Sequence, residues 1–200
     1  MVAGVPRGKG LIRTAMILPI LVPPVAIGAM WKLVYNYDFG ILNQALGLIG
    51  IDRIQWLSSA DLALWSVVLV DVWHWTPLVF LILFAGVEGL PGEVIEAARV
   101  DGATQAQAFR RVILPLVVPG LIAAGVLAFV FSWNEFSVAL NLTSRGTATV
   151  PVGIANFAEQ YEVQNGNMAA AAVLSTIPAL ILMMFGQRFV VQGLTMGAVK

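Results

Sequence analysis

Two ionisable side chains, Asp71 and His74, lie within a long apolar run and are the first candidates for chemistry. Their spacing of three residues places both on one face of a helix, where they can interact. Charged groups inside a membrane-spanning helix are costly and usually face a bundle interior or an aqueous path. The pair therefore predicts either the lining of a substrate path or, as the alternative, an interhelical hydrogen bond or a position near the membrane interface. A metal site is not expected, because His74 is the single histidine and the pair offers two ligands at most.

A polar, helix-prone stretch at residues 96–115 reads EAARVDGATQAQAFRRVILP and separates two apolar runs. Glu96 is expected in the first turn of a helix, where the positive end of the helix favours a carboxylate. Gly102 supplies the permissive backbone that a tight turn needs. Residues 103–112 are expected to form a second short helix, and Pro115 is expected to begin the next apolar span. The spacing thus predicts two short helices around a glycine turn.

The composition identifies the elements that must position these residues. The chain of 200 residues is 59% hydrophobic and 11% charged, with a mean hydropathy of +0.87, whereas soluble domains have about 25% charged residues. A bilayer core needs about 20 apolar residues per crossing helix. The predicted fold is therefore an all-α polytopic membrane helical bundle, with residues 1–200 as a single transmembrane domain. Its four predicted spans are 14–35, 62–85, 116–133 and 168–185. The polar loop between the second and third spans is 88–115.

Several functional classes are excluded by the residues themselves. The chain has no cysteine, so no disulfide, thiolate metal site or thiol nucleophile is available. No block of like charge indicates nucleic-acid binding. The chain also lacks a GxxxxGK[ST] phosphate loop, since the Gly-Lys-Gly at residues 8–10 has neither the spacing nor the following hydroxyl. An enzymatic role is accordingly not expected.

The first apolar run contains Pro19, Pro23 and Pro24, each of which kinks or breaks a helix. Carbonyl groups freed by these prolines must be bonded by a neighbouring helix or a water-filled cavity, which favours a position inside the bundle. The remaining segments are polar or glycine-rich and are expected outside the membrane: a loop with one short interfacial helix at 36–60, a loop at 141–167 and a tail at 186–200.

The distribution of Lys and Arg predicts an orientation. If the N-terminus is cytoplasmic, eight of the eleven basic residues lie on that side. The positive-inside rule then places both termini and the polar loop in the cytoplasm. The eight residues are Arg7, Lys9, Arg13, Arg99, Arg110, Arg111, Arg188 and Lys200.

Apolar side chains in the cytoplasmic loop, Val94, Ile95 and Phe109, are expected to need a covering surface. A contiguous apolar patch rimmed by charge is typical of a protein-interaction site. A surface segment that lies on the lipid headgroups has the same composition. Both readings, a docking element and a headgroup-bound segment, follow from these residues alone.

The loop resembles the EAA loop of ABC importer permeases. The resemblance rests on Glu96-Ala97-Ala98, Gly102 and Val112-Ile113-Leu114-Pro115, with Val112 where isoleucine is more usual. The string EAARVDGAT is similar to the carbohydrate-uptake, maltose-type branch, which is binding-protein-dependent. The resemblance implies that Glu96 faces a cytoplasmic ATPase, that Gly102 makes the turn, and that Leu114 and Pro115 join the loop to the next span. We refer to residues 88–115 as the coupling loop.

The resemblance covers nearly the whole chain, but its two halves differ. Residues up to the coupling loop are similar to the maltose-type partner that supplies most sugar contacts, and residues from Pro119 onward are similar to the other partner. Family members usually have six spans, and the first two have no counterpart here. The chain is therefore expected to be a shortened copy that lacks the first two helices.

The resemblance implies a permease subunit of an ATP-driven importer of oligosaccharides or polyols in a bacterial or archaeal inner membrane. It implies no cofactor in the chain itself, since a partner hydrolyses ATP. The implied partners are ABC ATPase subunits, a second permease subunit, an extracytoplasmic sugar-binding protein and membrane lipid. Two alternatives remain, a proton-coupled secondary carrier that uses Asp71 and His74 as a relay, and a fragment that does not transport.

Candidate path residues are polar side chains near tryptophans, which suit sugar hydroxyl groups and sugar faces. Besides Asp71 and His74, the motif after the third span contributes Asn134 and Glu135. The accompanying tryptophans are Trp73 and Trp133. These four polar residues are the predicted substrate path.

Overall fold

The structure is a computed structural model that describes residues 9–158 and 165–195. These ranges form ten α-helices and no β-strand, which confirms the all-α class. A π-helical turn, Phe109–Ile113, joins the sixth helix to the seventh. The helices are α1 Lys9–Leu21, α2 Pro24–Val34, α3 Ile41–Leu48, α4 Ala60–Glu88, α5 Gly92–Val100, α6 Gln105–Ala108, α7 Leu114–Trp133, α8 Ser137–Leu142, α9 Val150–Ala155 and α10 Asn165–Thr195.

Three helices are long and apolar enough to cross a bilayer: α4, the continuous helix Gln105–Trp133 and Asn165–Val191 within α10. The predicted spans 62–85, 116–133 and 168–185 lie inside them. The predicted tail from residue 186 is wrong up to Thr195, because α10 continues that far without a break. The run FVVQGLT contains neither proline nor charge to end the helix, and hydropathy alone therefore placed the boundary too early.

The first predicted span is not one helix. Thr14–Leu21 and Pro24–Val34 are bent by 104° at the break between them. Pro23 and Pro24 lie at this break, and neither can donate a backbone hydrogen bond. Pro24 is instead the first residue of α2, a position at which its fixed φ is favourable. The paired prolines thus divide the apolar run into two helices.

The predicted loop at 141–167 is wrong in part, because α8 extends to Leu142, α9 occupies Val150–Ala155 and α10 starts at Asn165, whereas residues 159–164 lie outside the described part of the chain. The carboxylate of Glu135 accepts hydrogen bonds from the backbone N–H groups of Val138 and Ala139, at 2.9 to 3.0 Å, and so caps the start of α8. Pro151 lies at the start of α9. The short helix predicted between residues 36 and 60 is confirmed as α3.

The described residues group into two compact units, the first within Met1–Trp75 and Phe131–Ile177 and the second within Thr76–Val130 and Pro178–Lys200. The prediction of a single domain stays a prediction. In the first unit a buried cluster joins α2, α4 and α8, and the aromatic rings of Trp31, Trp56 and Trp73 pack against it. The cluster consists of Ile27, Tyr35, Val67, Val70, Val138 and Leu142.

Small residues allow close helix approach in both units. A Cβ atom at Gly28 of α2 would lie 2.9 Å from the Cβ atom of Asn141 in α8. In the second unit a Cβ atom at Gly186 of α10 would lie 2.6 Å from a methyl group of Val126 in α7. Helices in lipid gain stability mainly from such close contacts and interhelical hydrogen bonds.

We predict that Gly28→Ala destabilises the first unit by about 1–3 kcal/mol, because the added methyl group meets the fixed Cβ of Asn141 and forces the helices apart. Gly47→Ala is the matched control, since a Cβ there meets no atom of the described residues within 4 Å. Unfolding of the purified protein in detergent, followed by circular dichroism, measures both. Equal stability of the two variants would contradict the tight α2–α8 contact.

Candidate functional site

The coupling loop begins with α5, which starts at Gly92 with Pro91 as its N-cap. Glu93 occupies the first turn, and Glu96 lies one turn further along the helix. The expectation that Glu96 is in the first turn is therefore wrong, because α5 starts at Gly92 and Glu96 is its fifth residue. Glu96 and Ala97 are exposed, whereas Ala98 is buried. A larger side chain than alanine at position 98 would have to displace its neighbours.

The turn after α5 is made by Gly102, whose φ of +79° lies in the left-handed region that favours glycine. The N–H of Ala103 donates to Ala98 O at 3.0 Å, and the N–H of Gly102 donates to Arg99 O at 3.0 Å. These two bonds are those of a Schellman motif, which satisfies the last carbonyl groups of a helix. The predicted role of Gly102 in making the turn agrees with this geometry.

The helix after the turn begins with a capping box. Thr104 Oγ1 accepts a hydrogen bond from the backbone N–H of Gln107 at 3.3 Å, and the side-chain oxygen of Gln107 accepts one from the N–H of Thr104 at 2.9 Å. Thr-x-x-Gln is the sequence signal of this motif. Sequence reasoning overlooked it and placed the helix start at residue 103, two residues too early. Only Gly102 and Ala103 therefore separate two capped helices.

The second helix of the loop does not end before the next span. Residues Gln105–Trp133 form one continuous helix, in which the N–H of Leu114 donates to Phe109 O across the π-helical turn. The expected boundary near Val112 and Pro115 is therefore wrong. Pro115 has no N–H for Arg111 O, and its ring would crowd that carbonyl in a regular helix. The wider turn before the proline accommodates it.

The exposed surface of the coupling loop is partly apolar. Val100 is 82% exposed and Phe109 is 51% exposed. Val94 and Ile95, which were expected to be exposed, are half-buried. Glu96 lines an open groove together with Ile95, Arg99 and Val100. The exposed apolar residues of the loop are thus Val100 and Phe109, and Glu96 and Arg99 line the groove together with Val100.

The predicted path residue Asp71 lies in α4, where its Oδ2 accepts a hydrogen bond of 2.6 Å from the Ser132 hydroxyl of α7. Asp71, Ser132, Glu135 and Thr149 line one cavity of about 160 Å³. The Thr149 hydroxyl is buried and has no hydrogen-bond partner within the described part of the chain. The apolar walls are formed by Leu64, Val67, Val68, Val138 and Ala139. The structure thus joins two of the predicted path residues and adds two hydroxyl groups.

The other two predicted path residues lie outside this cavity lining. Asn134 is exposed. His74 is 4% exposed, and its Nδ1 lies 3.2 Å from Pro19 O. Because a carbonyl oxygen can only accept, Nδ1 is the donor. Pro19 O lacks its i+4 helical donor because residue 23 is proline, and it accepts instead from the backbone N–H of Val22 at 3.4 Å and from His74.

The two tryptophans predicted near the path have partners within the first unit. The Trp133 indole N–H donates to Ser175 O at 2.9 Å. The Trp73 ring meets the Trp31 ring at a centroid distance of 5.6 Å. The described residues hold no group of three His, Cys, Asp or Glu side chains placed to bind a metal ion.

Sequence reasoning missed Ser132 and Thr149. Ser132 directly precedes the Trp133-Asn134-Glu135 motif, but its pairing with Asp71 spans 61 positions. No local pattern encodes a contact at that separation. Thr149 lies at the start of α9, in a region that was expected to be a loop.

The fold and the coupling loop define a helical membrane protein of the transport class. The chain belongs to the family of binding-protein-dependent transport system inner membrane components, whose model matches residues 1–196. This family is a transport family rather than a catalytic one, and the chain is a multi-pass inner membrane protein.

Individual relatives carry names of sugar transport systems. The chain is 30% identical over 179 residues to the trehalose/maltose transport system permease protein MalF of Thermococcus litoralis, which covers 90% of the chain and 60% of the relative. It is 46% identical over 127 residues to the trehalose transport system permease protein SugB of Mycobacterium tuberculosis, covering 62% of the chain and 46% of the relative. The chain thus spans about three fifths or less of these relatives.

A solved structure shares the fold. It is a bacterial ABC transporter involved in the import of the acidic polysaccharide alginate, and it superimposes with a TM-score of 0.83. The similarity covers 96% of this chain and 69% of that chain at 21% identity. This match agrees with the helical permease architecture predicted from the sequence.

We predict that Gly102→Ala loosens the turn between α5 and α6, because an alanine at a φ of +79° costs about 1–2 kcal/mol. Gly102→Asn is the matched control, since asparagine adopts this conformation more readily. The space is open to both, as a Cβ at this position meets no described atom within 4 Å. Amide hydrogen exchange in α5 and α6 should accelerate more in the alanine variant than in the asparagine variant. Equal acceleration would refute a conformational role for this glycine.

Proposed function

We propose that the chain is a permease subunit of an ATP-driven sugar importer, and that a separate cytoplasmic ATPase docks on the coupling loop. The family membership supports a transport role, and the names of the relatives support sugars as the substrate class. The chain itself contributes no cofactor in this proposal, since the partner hydrolyses ATP. Its other proposed partners are a second permease subunit and an extracytoplasmic sugar-binding protein.

The observation that carries this proposal is the continuous helix Gln105–Trp133. Its first residues belong to the coupling loop, and its last turn holds Ser132, which bonds Asp71 at the cavity. The backbone hydrogen bonds of a helix resist compression along its axis, and in this helix they continue through the π-helical turn, where the N–H of Leu114 donates to Phe109 O. An ATPase that moves α5 and α6 would therefore move α7 with them.

The docking surface is the exposed side of α5 and the turn that follows it. Its exposed apolar residue Val100 and its exposed charges Glu96 and Arg99 fit a protein cleft with an apolar centre and a charged rim. With the coupling loop and both termini in the cytoplasm, the positive-inside rule is satisfied. This orientation places the docking surface on the side where ATP is available.

The substrate path in this proposal includes the cavity of Asp71, Ser132, Glu135 and Thr149. Carboxylate and hydroxyl oxygens suit the hydroxyl groups of a sugar, and the buried Thr149 hydroxyl, which finds no partner among the described residues, could bond such a group. The Asp71–Ser132 bond joins α4 to α7 and closes one side of the cavity. His74 has a supporting role, because its ring bonds the Pro19 carbonyl.

We predict that Glu96→Lys combined with Gly102→Asp weakens association with the ATPase by roughly tenfold or more, which corresponds to about 1.4 kcal/mol. The two changes reverse a rim charge and strain the turn. Co-purification of the full chain with the ATPase subunit of a carbohydrate importer from the same cells measures the effect. Glu93→Lys is the matched control, as an exposed carboxylate in the first turn of the same helix. Unchanged association of the double variant would overturn the docking assignment.

We predict that Ser132→Ala raises the KM for uptake of a labelled disaccharide in vesicles that contain the ATPase and the binding protein. The substitution removes a hydroxyl from the cavity and releases the Asp71 carboxylate, at a cost of about 1–3 kcal/mol in the affected hydrogen bonds. Leu69→Ala, an exposed position on the same stretch of α4, is the control. Uptake driven by a proton gradient without ATP would instead favour a secondary carrier. An unchanged KM would remove the cavity from the path.

A further inference from the structure

The short helix α3 presents an apolar face that the rest of the described chain leaves uncovered. Ile41, Leu48 and Ile49 are 65%, 89% and 70% exposed. With Ala45 they follow the spacing i, i+4, i+7 and i+8, which places them on one side of the helix. The helix sequence ILNQALGL contains no charged residue. The position of α3 relative to the membrane spans decides what covers this face.

The opposite side of α3 is held firmly to the protein. Asn43 is buried and makes four hydrogen bonds. Its side-chain nitrogen donates to Tyr37 O at 3.2 Å and to Ile54 O at 3.0 Å. Its side-chain oxygen accepts from the N–H of Ile54 and from the indole N–H of Trp56, both at 3.0 Å. The exposed face therefore belongs to a fixed helix with a defined orientation.

The bonds of Trp56 set the depth of α3. The Ser66 hydroxyl donates to Trp56 O at 3.0 Å, and the Tyr35 hydroxyl donates to Ser66 O at 3.0 Å. The Tyr35 and Trp56 rings lie 5.8 Å apart. Ser66 lies in the second turn of α4, a helix that is long and apolar enough to span a bilayer. Through Asn43 and Trp56, α3 is thus tied to the level at which this span begins.

The same level carries the features of a membrane interface. Leu64 and Trp65 of α4 are 55% and 68% exposed, and tryptophan is enriched where spans meet the headgroups. The charged residues Asp38 and Arg53 flank α3 in the sequence and approach each other to 3.8 Å. The exposed face of α3 is uncharged and apolar, as are the exposed Leu64 and Trp65 at this level of the span. Lipid, which covers the apolar surface of the span, is therefore the occupant that best matches the face of α3.

We propose that Ile41, Leu48 and Ile49 insert α3 into the bilayer interface, in the leaflet in which α4 begins. The helix then lies on the membrane as an amphipathic anchor, with its apolar face among the first acyl carbons. Asn43 and Trp56 hold it against the start of α4. The anchor fixes the first turns of α4, and thereby Tyr35 and Ser66, relative to the membrane surface.

Site-directed spin labelling tests the proposal directly, because the natural chain has no cysteine. Single variants Ile41→Cys, Leu48→Cys and Asp52→Cys of the full chain are labelled with a nitroxide in phospholipid nanodiscs. Collisions with oxygen, which partitions into lipid, are compared with collisions with a water-soluble nickel chelate. We expect a several-fold higher oxygen-to-nickel ratio at positions 41 and 48 than at position 52, which lies in the exposed loop after α3. Circular dichroism of each labelled variant verifies the helical fold.

Three results would overturn the proposal. A ratio at positions 41 and 48 equal to that at 52 would place the face in water. Dipolar broadening between labels at position 48 would assign the face to a second copy of the chain. Protection from nickel that arises only when a soluble sugar-binding protein is added would assign the face to that protein.

Discussion

The structure depends on how the chain compensates for the backbone hydrogen bonds that prolines remove, because a bilayer supplies no water to replace them. Pro23 removes the i+4 donor of Pro19 O, which accepts instead from the backbone N–H of Val22 at 3.4 Å and from the buried His74 ring. Pro115 has no N–H for Arg111 O, and a π-helical turn precedes it. The first case bends the chain by 104°, whereas the second leaves the helix continuous. The way in which the backbone adapts at each proline therefore decides whether the chain bends there or continues as one helix.

Hydropathy and spacing were sufficient for the parts of the fold that depend on local sequence. The spans within α4, α7 and α10 follow from apolar runs, and the turn at Gly102 follows from the need for a positive φ. Hydropathy alone did not predict the break between α1 and α2, because paired prolines are compatible with one kinked helix or with two separate helices. The continuous helix through Pro115 was not predictable, since the π-helical turn depends on which carbonyl the proline leaves unpaired.

In the candidate site too, local sequence predicts some features, whereas others depend on residues far away in the sequence. Asp71 and His74 have the same spacing signal and lie on one helix, yet Asp71 meets Ser132 at a cavity and His74 bonds a carbonyl of α1. Their residue types do not distinguish these roles, because each role depends on a partner 55 or more positions away. Glu135 illustrates the same limit, since its carboxylate lines the cavity and also caps α8. Sequence reasoning identified polar groups but not their assignments.

The coupling loop and the cavity lining share one helix. The turn at Gly102 is closed by a Schellman motif and a capping box, and the four residues 101–104 separate α5 from α6. The helix Gln105–Trp133 that follows contains the π-helical turn before Pro115. This helix therefore carries Leu114 and Pro115 of the coupling loop and, in its last turn, Ser132, whose 2.6 Å bond to Asp71 joins α7 to α4.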